Sequence, residues 1–303
     1  RIGIEAVVYD AHPEIGGLLS FGIPEFKLEN SVIRRRRKAL ENMGVSFVLG
    51  TTVGRDVGFD ELLEGFDAVF MGLGAYRPMP AGIPGAEVEG VYKALDYLVG
   101  NTANVLDMVL PAYELINLEN RRVVVLGGGD TAMDCVRTAV RQGASEVYCL
   151  YRRDRDNMPG SQTEVSHAVD EGIQFRFNVQ ALEIVADEAG GVQAVKVVET
   201  RLGPPDESGR KRPEPVEGSE MNIATDAVIV AYGFRASPCD WFADFGVTTD
   251  EWGRVVAGGN LPFQTTNPKV FAAGDMVRGA DLVVTAVADA LKAAHGIASY
   301  LRG

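Results

Sequence analysis

The sequence has 303 residues, of which 46% are hydrophobic, and this length suits two domains of ordinary size or one interleaved pair. Its formal net charge of −13 at pH 7 argues against a surface that binds nucleic acid or an anionic membrane. No apolar run approaches the ~18 residues that cross a bilayer, and no basic leader with an apolar stretch opens the chain, so neither a membrane anchor nor a secretory signal is expected.

The first predicted element is a short strand, residues 4–10, which ends in Asp10. In dinucleotide-binding folds a strand that ends in an acid is normally the second strand, and its carboxylate binds an adenosine ribose. Neither a strand nor a glycine loop precedes it, which indicates that the sequence starts inside a domain. Residues 12–29 are rich in Gly and Pro and are expected to be irregular.

A helix is predicted from Ser31, a suitable N-cap, to about Met43, just before Gly44. It carries four consecutive arginines, residues 34–37. In an acidic chain such a run is most often a solvated helix face, and docking to a partner subunit is the lesser alternative.

Two strands and a broken helix are predicted next. Residues 45–50 form one strand, and residues 67–75 form a buried strand that runs into two glycines. Residues 92–118 have a helical pattern that a proline interrupts.

Residues 121–155 are the most informative stretch, because they match one βαβ unit. A buried strand at 123–126 leads into a G-x-G-x-x-A turn, followed by a helix over 132–142 and a strand over 146–151. The residues at that spacing are Gly127, Gly129 and Ala132. Glycines let a pyrophosphate approach bare backbone amides, and the helix N-terminus supplies unpaired N–H groups to phosphates.

The end of the second strand predicts which nicotinamide cofactor this unit binds. An NAD site usually places Asp or Glu about 20 residues after the glycines, where it binds the ribose 2′-hydroxyl. Here that place holds Tyr151, Arg152 and Arg153, with Arg155 close behind. Guanidinium groups bind a 2′-phosphate through paired hydrogen bonds, whereas a carboxylate would repel it, so the pattern predicts NADP(H).

The rest of the chain returns to the pattern of its first part. Residues 173–200 alternate as strands do, and residues 203–218 are predicted to be an exposed hairpin tip or a flexible loop. The apolar strand at 226–234 echoes the one at 67–75, which suggests two related nucleotide-binding units. A strand at 270–273, a Gly-Asp turn and a long helix close the chain, so the second unit interrupts the first.

No catalytic or metal-binding pattern is present in the sequence. Cys135, Cys149 and Cys239 are widely spaced with no C-x-x-C, which excludes a redox disulfide and a zinc or iron–sulfur ligand set and fits a reducing cytoplasm. The first two are expected to be small core residues. Glu164 and His167 are interpreted as structural, because nicotinamide chemistry needs no acid–base pair.

Four stretches are far more specific than any dinucleotide fingerprint: GGGDTAMDCVRTAVRQGA, YRRDRDNMPGSQTEV, GGLLSFGIPEFKLE and FAAGDMVRGADLVV. Through them the chain resembles, over nearly its whole length, the small (β) subunit family of bacterial NADPH-dependent glutamate synthase. The architecture is also similar to the flavin–NADPH half of dihydropyrimidine dehydrogenase. The resemblance implies an α/β fold with two interleaved Rossmann-like, glutathione-reductase-like dinucleotide-binding domains, in which an inserted NADPH domain interrupts the FAD domain.

The resemblance further implies an FAD domain at residues 1–116 and 231–303, with the NADPH domain at 117–230. The family carries an N-terminal cysteine-rich region that helps bind iron–sulfur clusters, followed by a first FAD strand with its own G-x-G-x-x-G loop. This sequence contains neither. Iron–sulfur clusters are therefore expected in the full-length subunit, with no ligand from this fragment, and the loop for the FAD pyrophosphate is missing here.

The resemblance assigns the first part of an FAD site to the N-terminal third of the chain. Asp10 would bind the adenosine ribose, the charge of Lys27 would favour the reduced flavin, and the Val53 backbone would hold the adenine edge. Positions that line or pass the cofactor are Gly16, Gly17, Leu18, Lys27, Val53, Gly72 and Gly74.

The second part of the FAD site is assigned to the C-terminal segment. Asp275, after Gly274, would bind the ribityl hydroxyls. The closing helix opens at Asp281, Leu282 and Val283, and its N–H groups would face the flavin's pyrimidine carbonyl, where reduction builds negative charge.

The NADPH site would combine the glycine turn with two strand ends. Its members are Gly127, Gly128, Gly129, Asp130 and Thr131 for phosphates and ribose, Arg152 and Arg153 for the 2′-phosphate, and Ala231, Tyr232 and Gly233 near the nicotinamide. An aspartate beside phosphates is electrostatically unfavourable, so Asp130 would either hydrogen-bond a ribose or cap the helix.

The primary hypothesis is a module that moves a hydride from NADPH to FAD and passes electrons through iron–sulfur clusters to the glutamate synthase large (α) subunit, which makes glutamate from glutamine and 2-oxoglutarate. One alternative changes only the acceptor, as in a ferredoxin:NADP oxidoreductase or a sulfide-dehydrogenase-type subunit. Another is a flavin-free NADP-binding scaffold, because the first FAD loop is missing. No catalytic side chain, metal ligand, nucleic-acid partner or membrane partner is predicted.

Overall fold

The computed structural model describes residues 3–205 and 211–303, which divide into two compact units. Unit 1 contains the chain up to Ser20, Asn30–Pro78 and Phe234–Gly303. Unit 2 contains Phe21–Glu29 and Met79–Gly233. The chain therefore leaves unit 1 twice, once for a short excursion and once for a long one.

The described residues form strands and helices in both units. The strands are β1 (Val7–Asp10), β2 (Ser46–Leu49), β3 (Val69–Met71), β4 (Arg77–Pro78), β5 (Val91–Lys93), β6 (Arg122–Leu126), β7 (Glu146–Tyr151), β8 (Gln174–Phe177), β9 (Val179–Ala186), β10 (Val192–Pro205), β11 (Lys211–Pro215), β12 (Met221–Ala224), β13 (Ala227–Val230), β14 (Phe234–Arg235) and β15 (Val270–Ala272). The helices are α1 (Leu18–Phe21), α2 (Asn30–Glu41), α3 (Phe59–Gly65), α4 (Ala94–Val105), α5 (Asp130–Arg141), α6 (Gln162–Asp170), α7 (Asp275–Arg278) and α8 (Val283–Tyr300), with a 3₁₀ turn at Asp240–Phe245.

Unit 2 is built on a five-stranded parallel sheet with the strand order β5-β13-β6-β7-β8. The apolar sequence of β6 is buried almost throughout, as expected for a central strand covered on both faces. On one face, side chains of α4, α5 and α6 share a core with Val123 and Val125 of β6. Burying one such side chain stabilises a fold by about 1.5–3 kcal/mol, so this core fixes the place where β6 ends.

An antiparallel sheet covers the other face of the parallel sheet. Strand β10 pairs with β9 and β12 along its first part and with β11 along its second. Val124 and Leu126 of β6 pack against Ile184 and Val195 of this second sheet. The predicted hairpin at residues 203–218 corresponds to the β10–β11 pair, and residues 206–210 within it lie outside the described residues.

Unit 1 contains two short parallel strand pairs, β1 with β2 and β15 with β3. Tyr9 of β1 and Val270 of β15 belong to one apolar core, which also includes Phe59 of α3. The Phe59 ring stacks on Trp241 with a centroid separation of 4.4 Å, a geometry that adds to the burial energy of both rings. Unit 1 also contains a short antiparallel pair, β14 with β4.

The structure confirms the predicted strand–helix–strand at residues 121–155 as β6, α5 and β7. The unit boundaries differ from the prediction of an FAD domain over residues 1–116, because residues 79–116 lie in unit 2. The reason is physical: β5 extends the parallel sheet beside β13, and α4 shares its core with α5. Helix α4 also stops at Val105, since the chain turns at Asp107, which has φ +52°.

The predicted arginine-rich helix is present as α2, and Arg34, Arg35 and Arg36 are exposed along it. Arg37 instead lies 2.8 Å from Glu41 and 3.3 Å from Glu14. Among the described residues, no helix combines the length and the apolar character that crossing a bilayer requires.

Candidate functional site

The glycine turn of unit 2 lies where three neighbouring parallel strands end. Gly127 follows β6 with φ +144°, a conformation that favours glycine, and its N–H donates to the Leu150 carbonyl at 3.1 Å. A Cβ on Gly127 would lie 2.3 Å from the Ala231 carbonyl oxygen. The turn is therefore held between the ends of β13 and β7 with room only for glycine.

Helix α5 begins directly after this turn. Gly129 is its N-cap and Asp130 its first residue. Within the described residues, the backbone N–H groups of Gly129, Asp130 and Thr131 have no hydrogen-bond acceptor, as expected at the start of a helix. Apart from chain neighbours, no heavy atom lies within 4 Å of a Cβ built on Gly129. Unpaired amides beside open space at a helix N-terminus suit an anion such as a phosphate.

The loop between β7 and α6 returns to the glycine turn. Gly160 donates its N–H to the Gly128 carbonyl at 2.9 Å, and Ser161 donates its N–H to Asp130 Oδ1 at 2.9 Å. The Tyr151 ring packs so closely on Gly128 that a Cβ there would lie 2.5 Å from it. Both ends of the loop are thus fixed beside the turn.

Arg152 and Arg153 open this loop, and the antiparallel sheet holds their main chain. Thr200 Oγ1 donates to the Arg152 carbonyl, and the Asn178 N–H donates to the Arg153 carbonyl, both at 2.9 Å. Arg152 is exposed, whereas Arg153 is half-buried and its Nε is a buried donor with no hydrogen-bond partner in the described part of the chain. Leaving such a donor unpaired costs about 1–3 kcal/mol of folding free energy.

The third strand end at this edge is formed by residues 231–233. Ala231 is buried and donates its N–H to the Leu126 carbonyl at 2.9 Å, and Gly233 turns the chain with φ +94°. Desolvation raises the pKa of Tyr232, and the positive charge of Arg152 opposes that rise. Because Ala231 bonds to the end of β6 and Tyr151 packs on Gly128, the structure brings together the main chains of all three predicted parts of the nucleotide site.

A cleft of about 850 Å³ lies elsewhere in unit 2. Its lining includes Arg122 and Glu146, which stand at the amino ends of β6 and β7. The glycine turn follows the carboxyl end of β6, where ligands of parallel α/β sheets bind, so we assign no role to the cleft in nucleotide binding.

Lys27 anchors the excursion Phe21–Glu29 to unit 2. Its Nζ lies 2.6 Å from Asp134 Oδ1 on α5 and 3.2 Å from Glu164 Oε2 on α6. Burial raises the pKa of Asp134 to about 6, although the Lys27 charge opposes this rise. In the structure the ammonium group of Lys27 forms ion pairs with these two carboxylates. The flavin contact predicted for Lys27 stays a prediction.

The neighbouring Phe26 is held by arginines of the same cluster. Its ring centroid lies 3.7 Å from the Arg141 guanidinium carbon and 4.9 Å from that of Arg137, distances typical of cation–π contacts. Arg137 also bridges Glu164 at 2.6 Å and Glu171 at 2.8 Å. Glu164 therefore lies in an ion cluster, as its structural interpretation predicted, and His167 lies 3.9 Å from it.

In unit 1, Asp10 ends β1 as the pattern predicted. Its Oδ1 accepts the backbone N–H of His12 at 2.9 Å and lies 3.1 Å from His12 Nδ1. Its carbonyl accepts the N–H of Thr51 at 2.9 Å, which ties the strand end to the chain after β2. Val53, a few residues further, bridges to Val57 and packs on the unit 1 core.

Glycine positions of the predicted flavin site meet around Tyr76. Gly17, which precedes Leu18 at the start of α1, has φ +52°, and Gly74 has φ +72°. The Tyr76 hydroxyl lies 3.1 Å from a Cβ on Gly17, and its ring lies 3.2 Å from a Cβ on Gly74. The structure thus joins two separate glycine motifs, and sequence reasoning missed the tyrosine between them.

The C-terminal part of unit 1 places two aspartates at helix starts. Asp275 follows Gly274 (φ +73°) and opens α7, where desolvation raises its pKa. Asp281 Oδ1 accepts the N–H of Leu282, the N-cap of α8, at 2.8 Å, and this bond lowers the pKa of Asp281. Leu282 is 59% exposed and Val283 48%, so the start of α8 is open to a ligand or partner.

Residues 56–290 match the model of a protein family described as pyridine nucleotide-disulphide oxidoreductase. The chain belongs to this oxidoreductase family. It is 56% identical to the glutamate synthase (NADPH) small chain of Halomonas elongata, over 99% of this chain and 64% of that protein. It is 54% identical to the putative oxidoreductase AegA of Escherichia coli, over 99% of this chain and 46% of that protein. The chain thus spans less than two thirds of the length of these relatives.

The fold is similar to that of Mycobacterium tuberculosis FprA, solved in complex with NADPH, with a TM-score of 0.80 over 98% of this chain and 78% of that chain. At 19% identity this likeness concerns the fold alone. The predicted α/β fold of two interleaved dinucleotide-binding domains is confirmed, as is the resemblance to the small-subunit family of NADPH-dependent glutamate synthase.

The three cysteines of this oxidoreductase are free thiols. Cys135 and Cys149 are fully buried, as predicted for core residues, and burial raises the pKa of Cys149 to about 12. In the part of the chain that the structure describes, no three His, Cys, Asp or Glu side chains are placed to hold a metal ion.

Proposed function

We propose that unit 2 binds NADPH and that the chain transfers a hydride from it to FAD held by unit 1. The observation that carries this proposal is the open space at Gly129 and the free amides at the start of α5, beside the loop that contains Arg152 and Arg153. A 2′-phosphate would accept hydrogen bonds from these two guanidinium groups. NADH has only a hydroxyl there, which cannot neutralise two guanidinium groups.

The residues of unit 2 act by binding and orienting the dinucleotide. The open face of Gly129 and the free amides of α5 receive the pyrophosphate, while Arg152 and Arg153 hold the ribose phosphate. Tyr232 lies at the neighbouring strand end, where the nicotinamide half would rest. These residues contribute position rather than acid–base chemistry, which suits a hydride transfer.

We infer that unit 1 holds the flavin through backbone and carboxylate groups. Bound FAD supplies an electron-accepting ring that takes up two electrons as a hydride. Gly17 and Gly74 lie against Tyr76, Asp275 offers a carboxylate, and the first amides of α8 can stabilise negative charge. Asp10 is assigned to the adenosine ribose and Val53 to the adenine edge.

The electron acceptor is proposed to be the large (α) subunit of a glutamate synthase, reached through iron–sulfur clusters of the complete small subunit. Identity of 56% to a glutamate synthase small chain supports this acceptor. Identity of 54% to a putative oxidoreductase of another name favours a second candidate, in which the module is the same and the acceptor differs. The free cysteines favour a cytoplasmic setting.

An anaerobic reduction of the complete purified subunit, loaded with FAD, tests the proposal. Bleaching of the visible flavin spectrum by NADPH, much faster than by NADH, is the expected result. If the complete subunit binds NADP+ yet takes up no FAD, it is a nucleotide-binding scaffold and the redox proposal is wrong.

Gly129→Ala directly tests the phosphate cradle, defined as the glycine turn at residues 127–129 with the first amides of α5. Gly129 has φ −90° and ψ 178°, which alanine adopts without strain, and its Cβ would meet only open space. We expect a stability change within about 0.5 kcal/mol, as for a surface substitution. NADP+ affinity, measured by calorimetric titration, should fall at least tenfold, because the methyl group would stand where the pyrophosphate approaches.

Gly127→Ala is the matched comparison. Its φ of +144° and the Ala231 carbonyl 2.3 Å from the new Cβ strain the folded protein itself. A loss of about 1–3 kcal/mol in unfolding free energy is expected from that strain. If the two variants lose the same unfolding free energy, the space beside Gly129 is not open, and its assignment to the cofactor is wrong.

A further inference from the structure

We propose that Asp130 is a positioning residue that selects NADPH over NADH without touching either cofactor. Its carboxylate holds the arginine loop, defined as residues 152–161, against the glycine turn. This inference rests on the proposed NADPH site of unit 2. It replaces both roles that the sequence left open for Asp130, a ribose contact and a cap on its own helix.

Asp130 makes a side-chain hydrogen bond to a distant part of the chain. Its Oδ1 accepts the N–H of Ser161 at 2.9 Å, across 31 residues of sequence. Ser161 is the N-cap of α6, and Asp130 is the first residue of α5. The carboxylate thus lies at the N-termini of two helices, whose partial positive charges stabilise it and offset its repulsion of a nearby phosphate.

The bond between Asp130 and Ser161 holds the return end of the arginine loop at the glycine turn. Immediately before Ser161, the Gly160 N–H donates to the Gly128 carbonyl at 2.9 Å, and a Cβ on Gly160 would lie 3.0 Å from that oxygen. The return end of the arginine loop therefore meets the turn at two points. One is backbone to backbone, and the other depends on a single side chain.

Other contacts order the interior of the arginine loop. Tyr151 Oη donates to the Asn157 carbonyl at 2.7 Å, and Asp154 Oδ1 accepts the Asn157 N–H at 2.8 Å. Met158 is buried in the unit 2 core. These bonds give the loop its internal shape, and the bonds from Thr200 and Asn178 hold its arginine end on the antiparallel sheet. The Asp130 bond, together with the Gly160 bond, fixes its return end beside the glycine turn.

Two variants break the bond from opposite sides. Asp130→Ala removes the acceptor. Ser161→Pro removes the donor, and the Ser161 φ of −54° already suits proline. Asp130→Asn and Ser161→Ala are the matched controls, because the first keeps an Oδ1 acceptor and the second keeps the N–H.

The test titrates the full chain with NADP+ and with NAD+ and compares the two dissociation constants. Asp130→Ala and Ser161→Pro should each lower the NADP+ to NAD+ preference on the order of tenfold, the effect of losing one hydrogen bond. The double variant should lose no more than either single variant, since both remove one interaction. Asp130→Asn and Ser161→Ala should keep the preference.

Each contrary outcome has a distinct meaning. If Asp130→Ala weakens NADP+ and NAD+ equally, Asp130 contacts a ribose common to both and the positioning role is wrong. If the effects of the two single variants add in the double variant, the Asp130–Ser161 bond is not the shared cause and the inference also fails. If the parent chain itself shows no preference for NADP+, the proposed function fails first.

Discussion

Replacement of both Arg152 and Arg153 by alanine is expected to weaken NADP+ binding at least a hundredfold and to leave NAD+ binding within about twofold. A hydrogen bond to a charged group contributes about 1.5–3 kcal/mol, and the 2′-phosphate would lose at least two. Calorimetric titration of parent and variant with both nucleotides measures the effect. The same variant should be no less stable than the parent, because the unpaired buried Nε of Arg153 is removed with it.

The matched control removes two exposed arginines of unit 2 elsewhere, Arg121 and Arg176. That double variant changes the net charge of the unit by the same amount. It should leave NADP+ binding nearly unchanged at 0.15 M salt or so, where the Debye length is about 8 Å. Equal losses of NADP+ and NAD+ affinity in the Arg152/Arg153 variant would refute the specificity assignment.

The sequence could predict the glycine turn and the arginines of this site, because local residue patterns encode them. Spacing of Gly127, Gly129 and Ala132 predicted a strand, a turn and a helix, and all three are present. The arginines could be placed beside the turn because two adjacent parallel strands end at one edge of a sheet. Both inferences depend on neighbours in sequence or on a fixed rule of topology.

The parts that sequence could not predict depend on contacts between distant segments. Lys27 and Asp134 are 107 residues apart, and no periodicity links an irregular segment to the second turn of a helix. The sequence gives no signal for the bond between Asp130 and Ser161 either, because Asp and Ser are common at helix starts for unrelated reasons. Strand β5, three residues long, joins the parallel sheet only through its tertiary pairing with β13.

Lys27→Met is expected to lower the stability of the protein by an amount that depends on pH. Lys27 and Asp134 keep only 18% and 10% of their side-chain surface exposed, so removing the cation leaves a mostly buried carboxylate without its partner. Breaking a fully buried pair costs about 3–5 kcal/mol, and partial exposure lowers the expected loss to about 2–3 kcal/mol at pH 8. Urea unfolding at pH 5 and pH 8 measures it.

The sign of the pH dependence follows from Asp134. Burial raises its pKa from 3.8 to about 6 in the folded protein, so the folded state binds the proton more tightly than the unfolded state does. Stability from this group therefore falls as the pH rises through that window. Without Lys27, which lowers this pKa, the value rises further, so the variant should lose more stability at pH 8 than at pH 5.

Two comparisons separate this cause from a general packing defect. Adding Asp134→Asn to Lys27→Met removes the buried Asp134 charge that has lost its partner. The double variant should therefore recover most of the stability at pH 8 and change little at pH 5. Lys38→Met, at an exposed lysine of α2, should be nearly neutral at both values. A loss in Lys27→Met that is the same at both pH values would mean that the methylene stem of Lys27 stabilises unit 2, and that its charge does not.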